Sequence, residues 1–292
     1  MQSNNPVFRN SDEFNGRANA YGNQVYDGSG TATPGYGQAP ATDPSTWSTG
    51  SPTTHTGAGT GRMTIDSVVQ KTGLSIFVVV VAAFITWVMT PDLGASGSTL
   101  SQSDISTLYA WMAIGSLGAF GLSLVNSFKR VISPALVLAF AALEGVALGA
   151  LSKWFDYAYG DGIVIQAVLG TFAAFGGTLA AYKFFNIKVS TKFRMFVIGA
   201  MFAMVALSIL ELVLGFFGNA IGLYGFTGIG LLFAILGLVL GVFMLILDFD
   251  FVENGVRAGL PDRESWRAAF ALTVSLVWIY TNLLRILAIM RR

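Results

Sequence analysis

The run Leu74-Ser75-Ile76-Phe77-Val78-Val79-Val80 opens the cleanest of several long apolar stretches in this chain. A helix needs about 20 mainly apolar residues to cross the roughly 30 Å hydrocarbon core of a bilayer. Seven stretches meet this requirement: approximately 74–90, 108–125, 135–151, 163–181, 195–217, 226–247 and 268–290. Pro91, Pro134 and Pro261 fall at or near their boundaries. The sequence therefore predicts an all-α polytopic membrane protein, a bundle of seven transmembrane helices in contact with the lipid bilayer.

Composition supports a membrane protein and excludes several other classes. The 292 residues are 53% hydrophobic and only 11% charged, with a mean hydropathy of +0.63, whereas soluble domains average about 25% charged residues. A net charge of +1 argues against nucleic-acid binding. The chain has no cysteine and a single histidine, His55, in a polar region. Disulfides, thiolate or histidine zinc sites and Ser-His catalysis are thereby excluded, and we predict a non-enzymatic protein without a cofactor.

The chain divides into a polar tail and an apolar domain. Residues 1–62 are rich in Gly, Ser, Thr, Asn and Pro, with few apolar residues and no periodicity. Such a composition predicts a disordered segment, because it cannot bury enough surface to offset the loss of chain entropy. We expect a disordered cytoplasmic tail over 1–62 and the seven-helix domain over 63–292.

The connections between spans carry an uneven distribution of basic residues, which predicts orientation. On the side of the tail lie eleven of them: Arg62, Lys71, Lys129, Arg130, Lys183, Lys188, Lys192, Arg194, Arg257, Arg263 and Arg267. On the opposite side only Lys153, Arg291 and Arg292 lie near the spans. We therefore predict a multi-pass protein of the cell membrane with its N-terminus in the cytoplasm and its C-terminus outside.

Four ionisable side chains interrupt the apolar spans: Glu144, Glu211, Asp248 and Arg285. A charge at the bilayer centre costs about 2.5–3.5 kcal/mol on insertion scales, and such groups usually face a protein interior or a water-filled cavity. Span direction places Glu144 near mid-membrane, Glu211 and Arg285 in the outer half, and Asp248 near the cytoplasmic end of span six. These four residues are the first candidates for a functional site.

Span seven carries a polar stripe of Ser275, Trp278, Asn282 and Arg285, spaced three, four and three residues apart. At 3.6 residues per turn the four share one face, which should point into the bundle.

Arg285 keeps its charge at this depth and so requires an acceptor. Glu144 and Glu211 are the acids at comparable depth, and we predict that Arg285 pairs with at least one of them. Three interpretations are compatible with this placement: a static ion pair, a gating ion pair, or an arginine that extends to the outer interface.

Two aspartates close span six. Asp248 and Asp250 lie about 200° apart around a helix, so they cannot both face one partner. Asp248 is predicted to face inward, where burial makes its charge sensitive to pH. Asp250 is predicted to face the solvated connection, as is the i,i+4 pair of Glu253 and Arg257.

Several of these segments resemble the transmembrane Bax inhibitor motif family. The resemblance is carried by Leu245-Ile246-Leu247-Asp248-Phe249-Asp250-Phe251-Val252, by Ile279-Tyr280-Thr281-Asn282-Leu283-Leu284-Arg285-Ile286-Leu287 and by Glu144-Gly145, over roughly residues 63–292. It implies six helices around a central seventh helix and a pH-sensitive calcium leak. Some members of the family are instead modulators of cell death or of membrane-protein quality control.

The family pattern also implies a proton-sharing pair formed by an aspartate that ends span six and an aspartate within span seven. Asp248 matches the first aspartate, but the second falls at Ser275, which is not an acid. The span-two carboxylate that partners the span-seven arginine is also missing, with Ser116 near that position. Glu144 and Glu211 are the candidates to supply the missing acids from other helices.

These residues support a leading hypothesis of a passive, proton-sensitive cation leak. Carboxylate oxygens suit calcium, so Asp248 is a candidate calcium contact, with Asp250 at the mouth and Glu144, Glu211 and Arg285 in an outer cluster. The alternative is a non-transporting membrane protein that binds a membrane-protein partner and modulates a protease or a stress pathway. An intramembrane aspartyl protease is disfavoured, because Asp248 and Asp250 diverge and span seven has no acid.

Overall fold

Seven helices make up the part of the chain that the computed structural model describes, residues 61–91, 102–160, 162–185 and 187–292. They are α1 Ile65–Met89, α2 Gln102–Phe128, α3 Pro134–Tyr159, α4 Ile163–Phe184, α5 Thr191–Phe216, α6 Gly228–Arg257 and α7 Glu264–Met290. All seven are long and apolar enough to cross a membrane, and none of the described residues forms a strand. The predicted all-α polytopic bundle is confirmed; the tail predicted over 1–62 lies almost entirely outside the described residues.

Local sequence sets where several of these helices begin. Thr64 caps α1 by accepting a hydrogen bond from the backbone N–H of Ser67, whose hydroxyl accepts one in return from the N–H of Thr64. Pro134 starts α3, where its fixed φ suits the first helical turn and its missing N–H costs nothing. Ser190 caps α5 through the N–H of Phe193. Such caps satisfy the backbone donors that a helix start leaves free.

Helix α7 is the centre of the bundle. It packs against α1, α3, α4 and α6, while α2 packs chiefly on α3 and α5 chiefly on α6. Ile279 and Leu284 of α7 are fully buried. Glycines permit the closest approaches: an added Cβ at Gly149 of α3 would overlap the backbone of Ala83 in α1. Helix α5 packs appreciably on α6 alone, and this contact is less extensive than that of α2 with α3, so α5 is the most loosely held of the seven.

We call the two ends of the bundle the near end and the far end, according to the helix termini that lie there. The near end holds the start of α1 and the connections α2–α3, α4–α5 and α6–α7; the far end holds the other connections and the end of α7. At the near end the segment before α1 pairs with the α6–α7 connection, through Met63 N–H to Leu260 O (2.7 Å) and Asp262 N–H to Gly61 O (2.8 Å). At the far end, buried Lys153 donates to the carbonyls of Trp87 and Thr90.

Candidate functional site

The polar stripe of α7 faces α6 and the connection that precedes it. Ser275 donates to Asp248 (2.6 Å), the indole N–H of Trp278 donates to the carbonyl of Gly237 (2.8 Å), and Arg285 donates to the carbonyl of Leu223 (2.8 Å). Asn282 lies so close to Gly237 that a Cβ there would overlap its side chain. The one-face prediction for this stripe is therefore correct.

Asp248 lies inside the bundle at the junction of three helices. Its carboxylate accepts the Ser275 hydroxyl from α7 and also lines a cavity of about 270 Å³ between α5 and α6. The other lining residues are apolar: Val197, Ile198, Met201, Phe202, Val205, Met244 and Leu247. The inward placement predicted for Asp248 is correct, and Ser275 occupies the position opposite it.

Asp250 is buried rather than solvated, so that prediction is wrong. Its carboxylate accepts a hydrogen bond from Arg194 at 2.8 Å, with 12% of the Asp250 side chain exposed. Arg194 stands one turn before Val197 of the cavity, and Asp250 stands close to Leu247 on α6. The ion pair thus joins α5 to α6 on the near side of the cavity. The helical periodicity of α6 alone could not identify this partner, because it comes from another helix.

Glu253 makes the expected contact with Arg257 and one that was not expected. It forms the i,i+4 ion pair, and its second oxygen accepts the hydroxyl of Tyr182 in α4 at 2.6 Å. Glu253 therefore joins α4 to α6 at the near end. Tyr182 and Arg194 are the residues at this end that sequence reasoning missed, since neither interrupts an apolar run as the carboxylates do.

Arg285 and Glu211 do not pair, and the prediction that Arg285 pairs with Glu211 or Glu144 is wrong for the described residues. Glu211 instead accepts three backbone N–H groups, from Ile221 (2.9 Å), Gly222 (2.8 Å) and Leu223 (3.0 Å). Arg285 donates to the carbonyl of Leu223 and stacks over the Tyr224 ring at 4.6 Å. Both charged side chains therefore form hydrogen bonds with the backbone of Leu223, but not with each other.

A model of the family described as Bax inhibitor 1 like matches residues 5–292 of the chain. The chain belongs to the Bax inhibitor 1 like family. No individual curated protein matches it in sequence. The match covers the whole predicted membrane domain and also extends over most of the polar tail, beyond the range of 63–292 over which the resemblance was expected.

Within the Bax inhibitor 1 like family, the resemblance led us to expect an aspartate pair between spans six and seven. In this chain the same junction is an aspartate–serine hydrogen bond, Asp248 with Ser275. A single carboxylate with a hydroxyl partner titrates as one site, whereas two facing carboxylates titrate as a coupled pair. Any proton response at this junction therefore belongs to Asp248 alone.

Glu144 lies on α3, which also packs against α7. The contact of Phe140 with Phe270 and the hydrogen bond of Ser152 with Tyr280 bracket it along α3, which places it at about the level of Ser275. Among the described residues Glu144 forms no hydrogen bond or ion pair, and it is half-buried. It therefore does not supply the missing partner of Arg285.

The described residues contain no group of three or more histidine, cysteine, aspartate or glutamate side chains that could hold a metal ion. Calcium takes six to eight oxygen ligands. A calcium ion at Asp248 would therefore draw most of its ligands from water and backbone carbonyls.

Proposed function

We propose that this chain is a passive cation leak of the membrane, permeable to calcium and sensitive to pH, with its path along α5, α6 and α7. The observation that carries the proposal is the inward Asp248 carboxylate, which contacts Ser275 and lines the cavity between α5 and α6. A carboxylate at membrane depth is costly, and such groups commonly mark ion pathways. The proposed activity is non-enzymatic and needs no cofactor other than the permeant ion.

Two closures interrupt the proposed path in this conformation. On the near side, Arg194 and Asp250 join α5 to α6. On the far side, the buried apolar cluster of Met204, Leu223, Phe233 and Leu240 fills the space between these helices. Apolar constrictions close pores by excluding water. Opening would require α5 to move away from α6, and α5 is the helix with the fewest other contacts.

We assign the pH sensitivity to protonation of Asp248, which removes the charge that attracts a cation. The groups that face it are Ser275 from α7, which does not titrate, and apolar side chains from α5. Two residues further along α6, Asp250 pairs with Arg194, so these two charges neutralise each other. Protonation of Asp248 would thus lower cation flux on acidification.

Calcium flux into liposomes that contain the purified chain tests this proposal. We expect Asp248→Asn to reduce the flux about tenfold or more and to remove its dependence on pH, because the charge is lost and the shape is kept. Asp66→Asn, the same change at an exposed acid of α1, is the matched control and should leave flux unchanged. Flux in Asp248→Asn equal to that of the unmodified chain would remove Asp248 from the mechanism.

A second candidate function, a non-transporting membrane protein that modulates a protease or a stress pathway, is favoured by one observation. Lys183, Lys188 and Lys192 are exposed at the near end, on and beside the α4–α5 connection. These lysines offer a basic surface to an acidic partner. Co-purification of a membrane protein that is lost when the three become glutamine, together with absence of flux, would favour this function over the leak.

A further inference from the structure

The cavity between α5 and α6 combines an apolar wall with a single charge. Seven of its eight lining residues are apolar and the eighth is Asp248. Its volume of about 270 Å³ is close to the lower end of ligand pockets, roughly 300 Å³. An apolar site with one fixed charge has the composition of a site for an amphipathic ion.

The charge in this cavity lacks a cationic partner. Among the described residues, Ser275 is the one group that donates a hydrogen bond to Asp248, and no lysine or arginine pairs with it. An ionised carboxylate has about four lone-pair positions, so most of its accepting capacity is free. By contrast, Asp250 nearby is neutralised by Arg194. The uncompensated charge favours a cationic occupant.

The cavity opens toward the lipid-facing surface of the bundle. Its lining residues Ile198, Phe202 and Val205 on α5 are 46%, 73% and 44% exposed. A molecule dissolved in the membrane could therefore reach Asp248 between α5 and α6. The exposed ring of Phe202 adds an aromatic face, which attracts quaternary ammonium groups. Seven apolar neighbours supply almost no oxygen ligands, so a permeating calcium ion would have to keep most of its water here, whereas an organic cation needs no such ligands.

We propose that this cavity binds a lipophilic organic monocation, with its ammonium group at Asp248 and its apolar body between α5 and α6. Such a ligand reaches the cavity from the bilayer side and compensates the charge of the carboxylate through its own charge. The inference uses the same carboxylate as the proposed leak but does not require ion flux. A binding measurement therefore tests this inference, and a flux measurement tests the proposed leak, independently of each other.

The probe is radiolabelled benzyltrimethylammonium, measured by equilibrium binding to the full chain in lipid nanodiscs, with empty nanodiscs as the measure of lipid partition. Its charge is permanent, so changes of pH act only on the protein. Neopentylbenzene, the neutral molecule of the same shape, is the competitor. We expect saturable binding above partition that neopentylbenzene displaces at least about tenfold less well than the unlabelled cation.

Two variants locate the site. Asp248→Asn should weaken binding about tenfold or more, because the charge that attracts the cation is lost, and Val205→Trp should abolish it by filling the cavity. Val213→Trp is the matched control, because Val213 lies on the same helix with the same 44% exposure but does not line the cavity. Should Asp248→Asn unfold, the two tryptophan variants decide the question alone.

Absence of saturable binding, or equal binding by Val205→Trp and Val213→Trp, would overturn the inference. Equal displacement by neopentylbenzene would also overturn it, since the site would then select shape and not charge. Binding without any calcium flux would support this inference while contradicting the proposed leak. Flux that depends on Asp248, together with no saturable binding of the organic cation, would support the proposed leak and contradict this inference.

Discussion

The two halves of the bundle use their buried charges differently. At the far end, Glu211 and Arg285 are both satisfied by the backbone of the α5–α6 connection, at residues 221–223. Toward the near end, Asp248 and Asp250 instead accept hydrogen bonds from side chains of other helices, Ser275 and Arg194. The first arrangement holds a loop in place, and the second joins helices to each other.

This difference separates a structural role from a gating role. Three backbone donors on one carboxylate fix the loop in a single conformation, and releasing it would leave a buried charge without partners. A hydroxyl or a half-exposed arginine can separate from its carboxylate at lower cost, since water or another ion replaces it. We therefore expect substitutions at Glu211 and Arg285 to change stability, and, under the proposed leak, substitutions at the Asp248 and Asp250 contacts to change permeation.

The largest effect is expected at Glu211, whose residue is only 7% exposed. Glu211→Ala removes the acceptor of three backbone N–H groups and should lower the free energy of unfolding by about 3 kcal/mol. Glu211→Gln keeps one acceptor oxygen and should lose about 1 kcal/mol. Unfolding in detergent measures both. Equal stability of Glu211→Ala and the unmodified chain would contradict the structural role of the far end.

An intermediate effect is expected at Arg194. Arg194→Gln breaks the pair with Asp250, and because the arginine side chain is 51% exposed we expect a cost near 1 kcal/mol. If this pair closes the path, that cost raises the open fraction about fivefold, and calcium flux into liposomes should rise accordingly. Arg257→Gln is the control, because it breaks an ion pair that does not join α5 to α6. Similar flux from both variants would show that Arg194 does not gate the path.

The sequence was sufficient to predict the helices and the stripe on α7, because both depend on local periodicity. Seven apolar stretches gave seven helices, and the three-four-three spacing from Ser275 to Arg285 placed these residues against α6 and the connection before it. Periodicity along α6 also indicated that Asp248 faces inward, while its position opposite Ser275 was implied by the family resemblance. In each case helical geometry alone determines which way the side chains point.

The pairing of Arg285 could not be predicted in the same way. Depth in the membrane indicated Glu211 and Glu144 as acceptors for Arg285, because a sequence shows at what depth acidic side chains lie but not which backbone carbonyls a loop presents. The conformation of the α5–α6 connection, with positive φ at Gly218 (75°) and Gly222 (90°), brings backbone groups to both charges instead. Likewise, the partner of Asp250 comes from α5, and a choice between helices depends on tertiary packing that periodicity along α6 does not contain.

The smallest effect is expected at Asp262, which extends the near-end pattern of side-chain pairing to the surface. Burial of Asp262 by itself raises its pKa. Hydrogen bonds from Lys71 (2.7 Å), Ser67 and Ser265 outweigh this effect and lower the pKa of Asp262 below its ordinary value. A lowered pKa contributes stability above the unfolded-state pKa of about 3.9. That contribution is lost as the pH falls through the folded-state value.

Asp262→Asn should therefore cost less than about 1 kcal/mol near pH 7, because the Asp262 side chain is 30% exposed. The difference from the unmodified chain should shrink below about pH 4. Thermal unfolding in detergent between pH 3 and pH 7 measures it, and Lys71→Met provides the second arm of a double-mutant cycle. In the Lys71→Met background most of the effect of Asp262→Asn should disappear. A cost that does not depend on pH would contradict this account. It would mean that Asp262 stabilises the α6–α7 connection through its shape and its backbone contacts, and not through its charge.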